Sequence, residues 1–303
     1  MTAAARLREL LRGEVREDEP MSRHTTFRLG GPAELFVLPR DAADLIAAVR
    51  FARQEGLPWR ILGGGSNLLV ADAGVRGLTI CTRGLREAHW SGEGVTAQAG
   101  VSMARLATGA GRRGLAGLAG LAGIPGTLGG AVRMNAGAHG AEIGRSVEWV
   151  EVLTPEGSPA RWEGRQLGFG YRSSLLRGLA VLSVRLALAP GDPRELQREL
   201  EVFRERRRST QPLNRPSAGS VFKNPPGAAA GRLIEEAGCK GWREGGAQVS
   251  KRHANFIVGG PGTTAADVHR LMRRVQEQVW RHRGLQLEPE LELWDFEEGQ
   301  DDR

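Results

Sequence analysis

The stretch PSAGSVFKNP, residues 216–225, sets Ser220 three residues before Lys223 and four before Asn224. A serine hydroxyl is a poor acid, so it can give up a proton only beside a group that polarises it, such as the Lys223 ammonium or a bound-water network. Without such a group the stretch is an ordinary surface turn. Further along, Glu288, Glu290 and Glu292 alternate with Leu287, Leu291 and Leu293, which reads as a half-buried strand with its acids on the wet face. The alternation alone does not select one of the three acids.

Two glycine-rich loops carry the second kind of chemistry. Gly63-Gly64-Gly65-Ser66-Asn67 follows the short apolar run WRIL (59–62), and glycine lets an anion approach main-chain N–H groups closely. From Gly114 to Gly126 glycine recurs at every third residue, within a longer glycine-rich segment, 114–140. Collagen is excluded by the lack of proline and the short run. The segment instead reads as a short helix followed by tight turns that pass close to a ligand. Two such loops facing one another would cradle a pyrophosphate without any lysine.

Other motifs fall away. Gly260-Pro261-Gly262-Thr263-Thr264-Ala265 has the GxGxxA form of a dinucleotide fingerprint, but no βαβ unit surrounds it. Thr264-x-x-Asp267 reads better as a helix cap. There is no Walker A, HExxH or GxSxG motif and no metal-ligand cluster. Cys81 and Cys239 are too far apart in sequence to form a CxxC pair, which points to a reducing cytosol.

The net charge is +7, and the only lysines are Lys223, Lys240 and Lys251, so the positive charge is carried by arginine. That favours small anionic ligands over nucleic acid, for which no basic stripe with interleaved aromatics exists. The uncharged run 115–132 holds six glycines and Pro125, which excludes a spanning helix, and the N-terminus has no apolar signal core. A soluble chain follows, with a monomer favoured.

Strands are predicted at 33–39, 59–62, 94–100, 147–153, 181–188, 254–259 and 287–294. Helices are predicted at 41–56 (with Asp41 as N-cap), 102–113, 192–209, 228–238 and about 264–283. The fold class is α+β, in three parts: 1–85, 86–209 and 210–303.

Six separate motifs, HTTFRLGGPAELF (24–36), ILGGGSNLLVAD (61–72), GIPGTLGGAVRMNAGAHG (123–140), FGYRSSLLR (169–177), RRRSTQPLNRPSAGSVFKNP (206–225) and LEPELELW (287–294), stand in the order found in the UDP-N-acetylenolpyruvoylglucosamine reductase family. The chain resembles that family over nearly its whole length. The resemblance implies a two-part FAD-binding region of the vanillyl-alcohol-oxidase type, 1–85 and 86–209, and a C-terminal substrate-binding domain, 210–303. It also implies noncovalent FAD, NADPH as hydride donor, and reduction of an enolpyruvyl UDP-sugar for peptidoglycan synthesis in the cytoplasm.

By the same resemblance Ser220 is the proton donor, Arg172 stabilises the enolate and Glu290 is the acidic partner near the substrate's C2. Gly63, Gly64, Gly65, Ser66, Asn67, Gly123, Ile124, Gly129 and Asn135 hold the flavin, with Arg208 near its phosphates. Tyr171, Lys223, Asn224, Lys240 and His253 fall at the substrate. Tyr171 is the only tyrosine and directly precedes Arg172, so the chain resembles the subgroup without a tyrosine lid. His139 stands where many relatives carry tyrosine, and His253 where some carry glutamine. Two rivals remain: a carbohydrate or alcohol oxidase of the same fold, with His24 or Cys81 as flavin tether, and a nucleotide-binding protein without turnover.

Overall fold

The computed structural model describes residues 1–296, which form two compact units. The first comprises residues 1–17, 35–64 and 77–207; of the described residues the second comprises 18–34, 65–76 and 208–296. Both mix helix and strand, as the α+β reading expects.

The first unit has two hydrophobic cores. In one, the helix Ala42–Gln54 buries Leu45, Ala48, Val49 and Ala52 against Leu35, Val37, Leu78 and Ile80. The i, i+3, i+4, i+7 spacing of those four residues is what makes the segment an amphipathic helix. Asp41 caps it by accepting from the Asp44 N–H at 3.0 Å. Beside it the strand Trp59–Leu62 pairs in parallel with Val75–Cys81, Trp59 opposite Leu78.

The other core lies on a five-stranded antiparallel sheet in the order Pro159–Glu163, Val147–Leu153, Ala180–Ala187, Gly94–Gln98, Ala88–Trp90. Val150 faces Val184, which faces Ala97, so one side of three strands is apolar and buried. The helix Met103–Arg112 and the long helix Pro193–Thr210, through Leu200, complete this core. The glycine-rich segment condenses into the 3-10 turn Ala119–Leu121, the short helix Leu128–Arg133 and a small hairpin, Gly137–Ala138 with Ala141–Glu142. The expectation of one short helix and tight turns is met by two helical turns and that hairpin.

In the second unit the helix Ala265–Arg283 buries Val268, Leu271, Met272, Val275 and Val279. Its start carries the Thr264–Asp267 capping box, and the Asp72 carboxylate accepts the Ala265 and Ala266 N–H groups, each at 2.9 Å. The GxGxxA run is therefore a capped helix start, occupied by the chain's own carboxylate. Gly284 ends the helix in the left-handed conformation, φ 62°, with its N–H on the Trp280 carbonyl. The strands predicted at 254–259 and 287–294 are shorter, at Ile257–Val258 and Glu292–Trp294, the latter parallel to Leu68–Val70. No helix among the described residues is long and apolar enough to cross a membrane.

Candidate active site

In the first unit the two glycine loops meet. A Cβ on Gly63 would lie 2.5 Å from the Thr127 hydroxyl, and one on Gly64 would lie 2.6 Å from the Gly126 Cα. No side chain fits at either position: Gly64 packs on main chain and Gly63 on the Thr127 side chain. The Arg83 guanidinium donates to the Gly64 carbonyl at 3.0 Å, while the Gly63 and Gly64 N–H groups donate to no protein group among the described residues. The Thr127 hydroxyl is buried and without a partner. Buried polar groups are almost always satisfied, so an orphaned hydroxyl beside two open amides marks the place of a polar ligand.

A half-buried cation lies at the same segment. Arg207 donates to the carbonyl of Gly123, whose φ is 94°. Burial pushes the Arg207 guanidinium below its ordinary pKa, and no carboxylate pairs with it among the described residues. A half-buried charge without a counter-ion is still unfavourable, so the site fits a ligand carrying negative charge. An FAD pyrophosphate meets both demands. Sequence reasoning passed over Thr127 and Arg207. The signal for Arg207 was its place within the run 204–208, where the expected Arg208 is instead exposed and its carbonyl accepts from Arg252 at 3.1 Å.

The N–H groups of Ile124, Gly129 and Asn135 donate to the carbonyls of Leu121, Ala99 and Val132. These residues are left with only carbonyls and side chains for a ligand, and the Asn135 side chain is itself fully bonded to protein. His139, at φ 53°, stacks on Phe203 with ring centroids 4.5 Å apart. Burial, then the nearby Arg206 and Arg207, holds the His139 imidazole below its ordinary pKa. Arg172, at φ 53°, donates to the Gly137 carbonyl at 2.8 Å and lies 5.1 Å from the centre of the Tyr171 ring.

The second unit brings Ser220, Glu290 and Asn67 together. The Asn255 side chain accepts the Phe222 N–H at 3.0 Å and donates to the Phe222 carbonyl at 2.8 Å, while the Asn255 carbonyl takes the Val221 N–H. On its other edge the same stretch pairs with 288–290: Lys223 N–H to Glu288, and Glu290 N–H to Val221, each at 2.8 Å. Asn67 Nδ2 then donates to the Glu290 carbonyl at 2.9 Å, and the Asn67 carbonyl accepts from Glu292. Asn255, buried and bonded twice to one residue, is a further positioning residue that the sequence reading missed. Gly65 is locked in this unit too, since a Cβ there would strike the His24 carbonyl at 2.0 Å.

Ser220 is half-buried, and its hydroxyl bonds to no protein group among the described residues. The Lys223 ammonium pairs with the Glu288 carboxylate and makes no hydrogen bond to the Ser220 hydroxyl among the described residues. The Asn224 side-chain oxygen accepts the Ala230 N–H at 2.9 Å, at the start of the helix Ala230–Glu236. Lys240 pairs with Glu235 at 2.7 Å. His253 belongs to the same cluster; its pKa is lowered by burial first and by Lys240, against its own backbone hydrogen bond and Glu235.

Neither expected flavin tether is a free nucleophile. His24 Nε2 lies 2.8 Å from Glu19 Oε1, and Cys81 is fully buried with its thiol pKa pushed up by that burial. Among the described residues no cluster of side chains could hold a metal ion.

A family model described as UDP-N-acetylenolpyruvoylglucosamine reductase, C-terminal domain, matches residues 211–294, and one described as FAD binding domain matches 33–162. UDP-N-acetylenolpyruvoylglucosamine reductases of Moorella thermoacetica and Heliobacterium modesticaldum are 50% identical over 96% of this chain and 97% of theirs, and 48% identical over 93% and 91%. The crystal structure of UDP-N-acetylenolpyruvylglucosamine reductase from Thermus caldophilus is similar at 40% identity and a TM-score of 0.81, covering 94% of this chain and 99% of that one. The Physcomitrella patens BBE-like 1 structure shares the fold alone, at 16% identity and a TM-score of 0.50, over 63% of this chain and 45% of that one. The architecture is thus an FAD-binding region followed by a C-terminal α+β domain of the reductase type. With half of its residues shared over nearly its full length, the chain belongs to the UDP-N-acetylenolpyruvoylglucosamine reductase family of FAD-dependent oxidoreductases.

Proposed function

We propose that this chain reduces UDP-N-acetylglucosamine enolpyruvate to UDP-N-acetylmuramate with NADPH, as a cytoplasmic step of peptidoglycan precursor synthesis. The observation that carries the reading is the main-chain pairing of Glu290 with Val221, which holds the segments bearing Ser220 and Glu290 side by side. When bound, FAD would supply hydride-transfer chemistry between NADPH and the vinyl carbon C3 of the substrate.

The rest falls to this chain's residues. As C3 gains the hydride, charge develops at C2 and spreads onto the carboxylate, where Arg172 stabilises it. Ser220 Oγ gives its proton to C2, with Glu290 as the acidic partner near that carbon. The sum is a two-electron, two-proton-equivalent reduction of one C=C bond, with NADP+ as the oxidised product. Lys240 meets the diphosphate, and Tyr171, Lys223, Asn224 and His253 complete the substrate contacts. Gly63 to Asn67, with Gly123, Ile124 and Gly129, hold the flavin. Arg208, and with it Arg207 and the Thr127 hydroxyl, meets its polar groups.

The test is mixing the purified yellow protein first with NADPH and then with the enolpyruvyl UDP-sugar. The colour bleaches and returns under anaerobic conditions if the reading holds. Return of colour with oxygen only, and not with the sugar, would overturn it in favour of an oxidase.

A further inference from the structure

Three segments of the first unit meet at Asn135. It is 1% exposed with a left-handed backbone, φ 41°. Its amide nitrogen donates to the Gly170 carbonyl at 2.9 Å and to Glu142 Oε2 at 3.3 Å, and its amide oxygen accepts the Gly144 N–H at 3.0 Å. A Cβ on Gly144 would lie 2.8 Å from that oxygen, so the contact is closed to any larger residue.

What Asn135 holds is the base of the loop bearing Arg172. Gly170 and Ser173 exchange main-chain hydrogen bonds of 3.1 and 3.2 Å, leaving Tyr171 and Arg172 at the tip. Ser174 Oγ fastens the following residue to the Arg133 carbonyl at 2.7 Å, and Arg172 itself reaches the Gly137 carbonyl, two residues past Asn135. Three of the six non-glycine residues with positive φ among the described ones, Asn135, His139 and Arg172, belong to this assembly. Such backbone persists only where its surroundings over-determine it, and it concentrates where function needs a fixed geometry.

An apolar residue could fill the Asn135 volume, but none could donate to Gly170 and accept from Gly144 at once. We propose that Asn135 is a positioning residue for Arg172: it clamps the Gly170–Ser173 loop to the glycine-rich segment, so that the guanidinium is set in place before substrate arrives. The proposal rests on Arg172 acting on the substrate's carboxylate.

Asn135→Asp keeps the volume, the tolerance of left-handed backbone and the acceptor for Gly144, but loses the donor to Gly170. In the FAD-loaded enzyme we expect reoxidation by the enolpyruvyl sugar to slow at least about tenfold more than NADPH-driven bleaching does, the scale of a small misplacement. In an Arg172→Ala background the same substitution should add less than about twofold, because coupled residues are not additive. Equal losses in both half-reactions, or the same loss in both backgrounds, would overturn the proposal. Arg172→Ala alone leaving reoxidation untouched would instead remove the underlying role of Arg172. If the Asp variant fails to hold flavin, Asn135→Gly keeps the positive φ and is judged by the same criteria. Loss of flavin in both variants would make Asn135 a residue of the fold and also overturn the proposal.

Discussion

Glu290 donates its main-chain N–H to the carbonyl of Val221 at 2.8 Å, and Asn67 holds the Glu290 carbonyl from the other side at 2.9 Å. An acid in an alternating Leu-Glu run is thereby fixed beside the segment of a serine some seventy positions earlier in the chain. Rigid main-chain support of this kind is what a proton donor and its partner need, because acid–base chemistry tolerates little misplacement.

Lys240 is half-exposed and paired with Glu235 at 2.7 Å, an arrangement that contributes only about 0–1 kcal/mol to stability. Lys240→Ala should therefore fold normally. Its expected effect is a rise of about tenfold in KM for the UDP-sugar with little change in kcat, the signature of lost uniform binding. An unchanged KM would take Lys240 out of the diphosphate site.

Gly64 has ordinary φ, so only space forbids a side chain there. Gly64→Ala puts a methyl 2.6 Å from the Gly126 Cα, which forces the two loops apart. The expected outcome is protein that folds but leaves gel filtration without yellow colour. Full retention of flavin would show that the meeting of these loops is not the cofactor's cradle.

His253 gives a pH signature. Burial holds its pKa below the ordinary value near 6.5, so on acidification the unfolded chain takes up the proton first. Stability is therefore complete above about 6.5 and falls as pH drops toward the folded pKa. The melting temperature should fall less between pH 7.5 and 5.5 in His253→Gln than in wild type. His139, lowered for the same primary reason, leaves a residual drop in the variant. Identical pH dependence in the two proteins would contradict the assignment.

Asp72 accepts two amides at the start of the helix Ala265–Arg283, 193 and 194 positions along the chain. Asp72→Ala should destabilise by about 1 kcal/mol, the usual scale of a lost helix cap. Urea unfolding should show this as a lower midpoint at unchanged slope. An unaltered midpoint would mean that the Thr264–Asp267 box suffices alone.

Local signals were legible where one rule decided the outcome. The four-residue strand Trp59–Leu62, the Asp41 cap and the helix Ala265–Arg283 were readable because apolar spacing and capping chemistry are encoded within a few residues. The strand Glu14–Pro20 was not, since its sequence EVREDEP is mostly charged and ends in proline; its partners across the sheet make it a strand. Long-range tethers were equally hidden. Nothing in ANFIVG announces that Asn255 will bond both main-chain groups of Phe222, 33 positions away. The two glycine loops could be expected to face one another, but the orphaned Thr127 hydroxyl and the half-buried Arg207 emerge only once the chain is folded.

The central claim, that Ser220 delivers the proton, is tested most directly by following flavin colour in Ser220→Ala through each half-reaction separately. The account predicts bleaching by NADPH at nearly the wild-type rate and reoxidation by the enolpyruvyl sugar slowed by about a hundredfold or more, as expected for loss of a general acid. Equal slowing of both halves, or undiminished reoxidation, would contradict it.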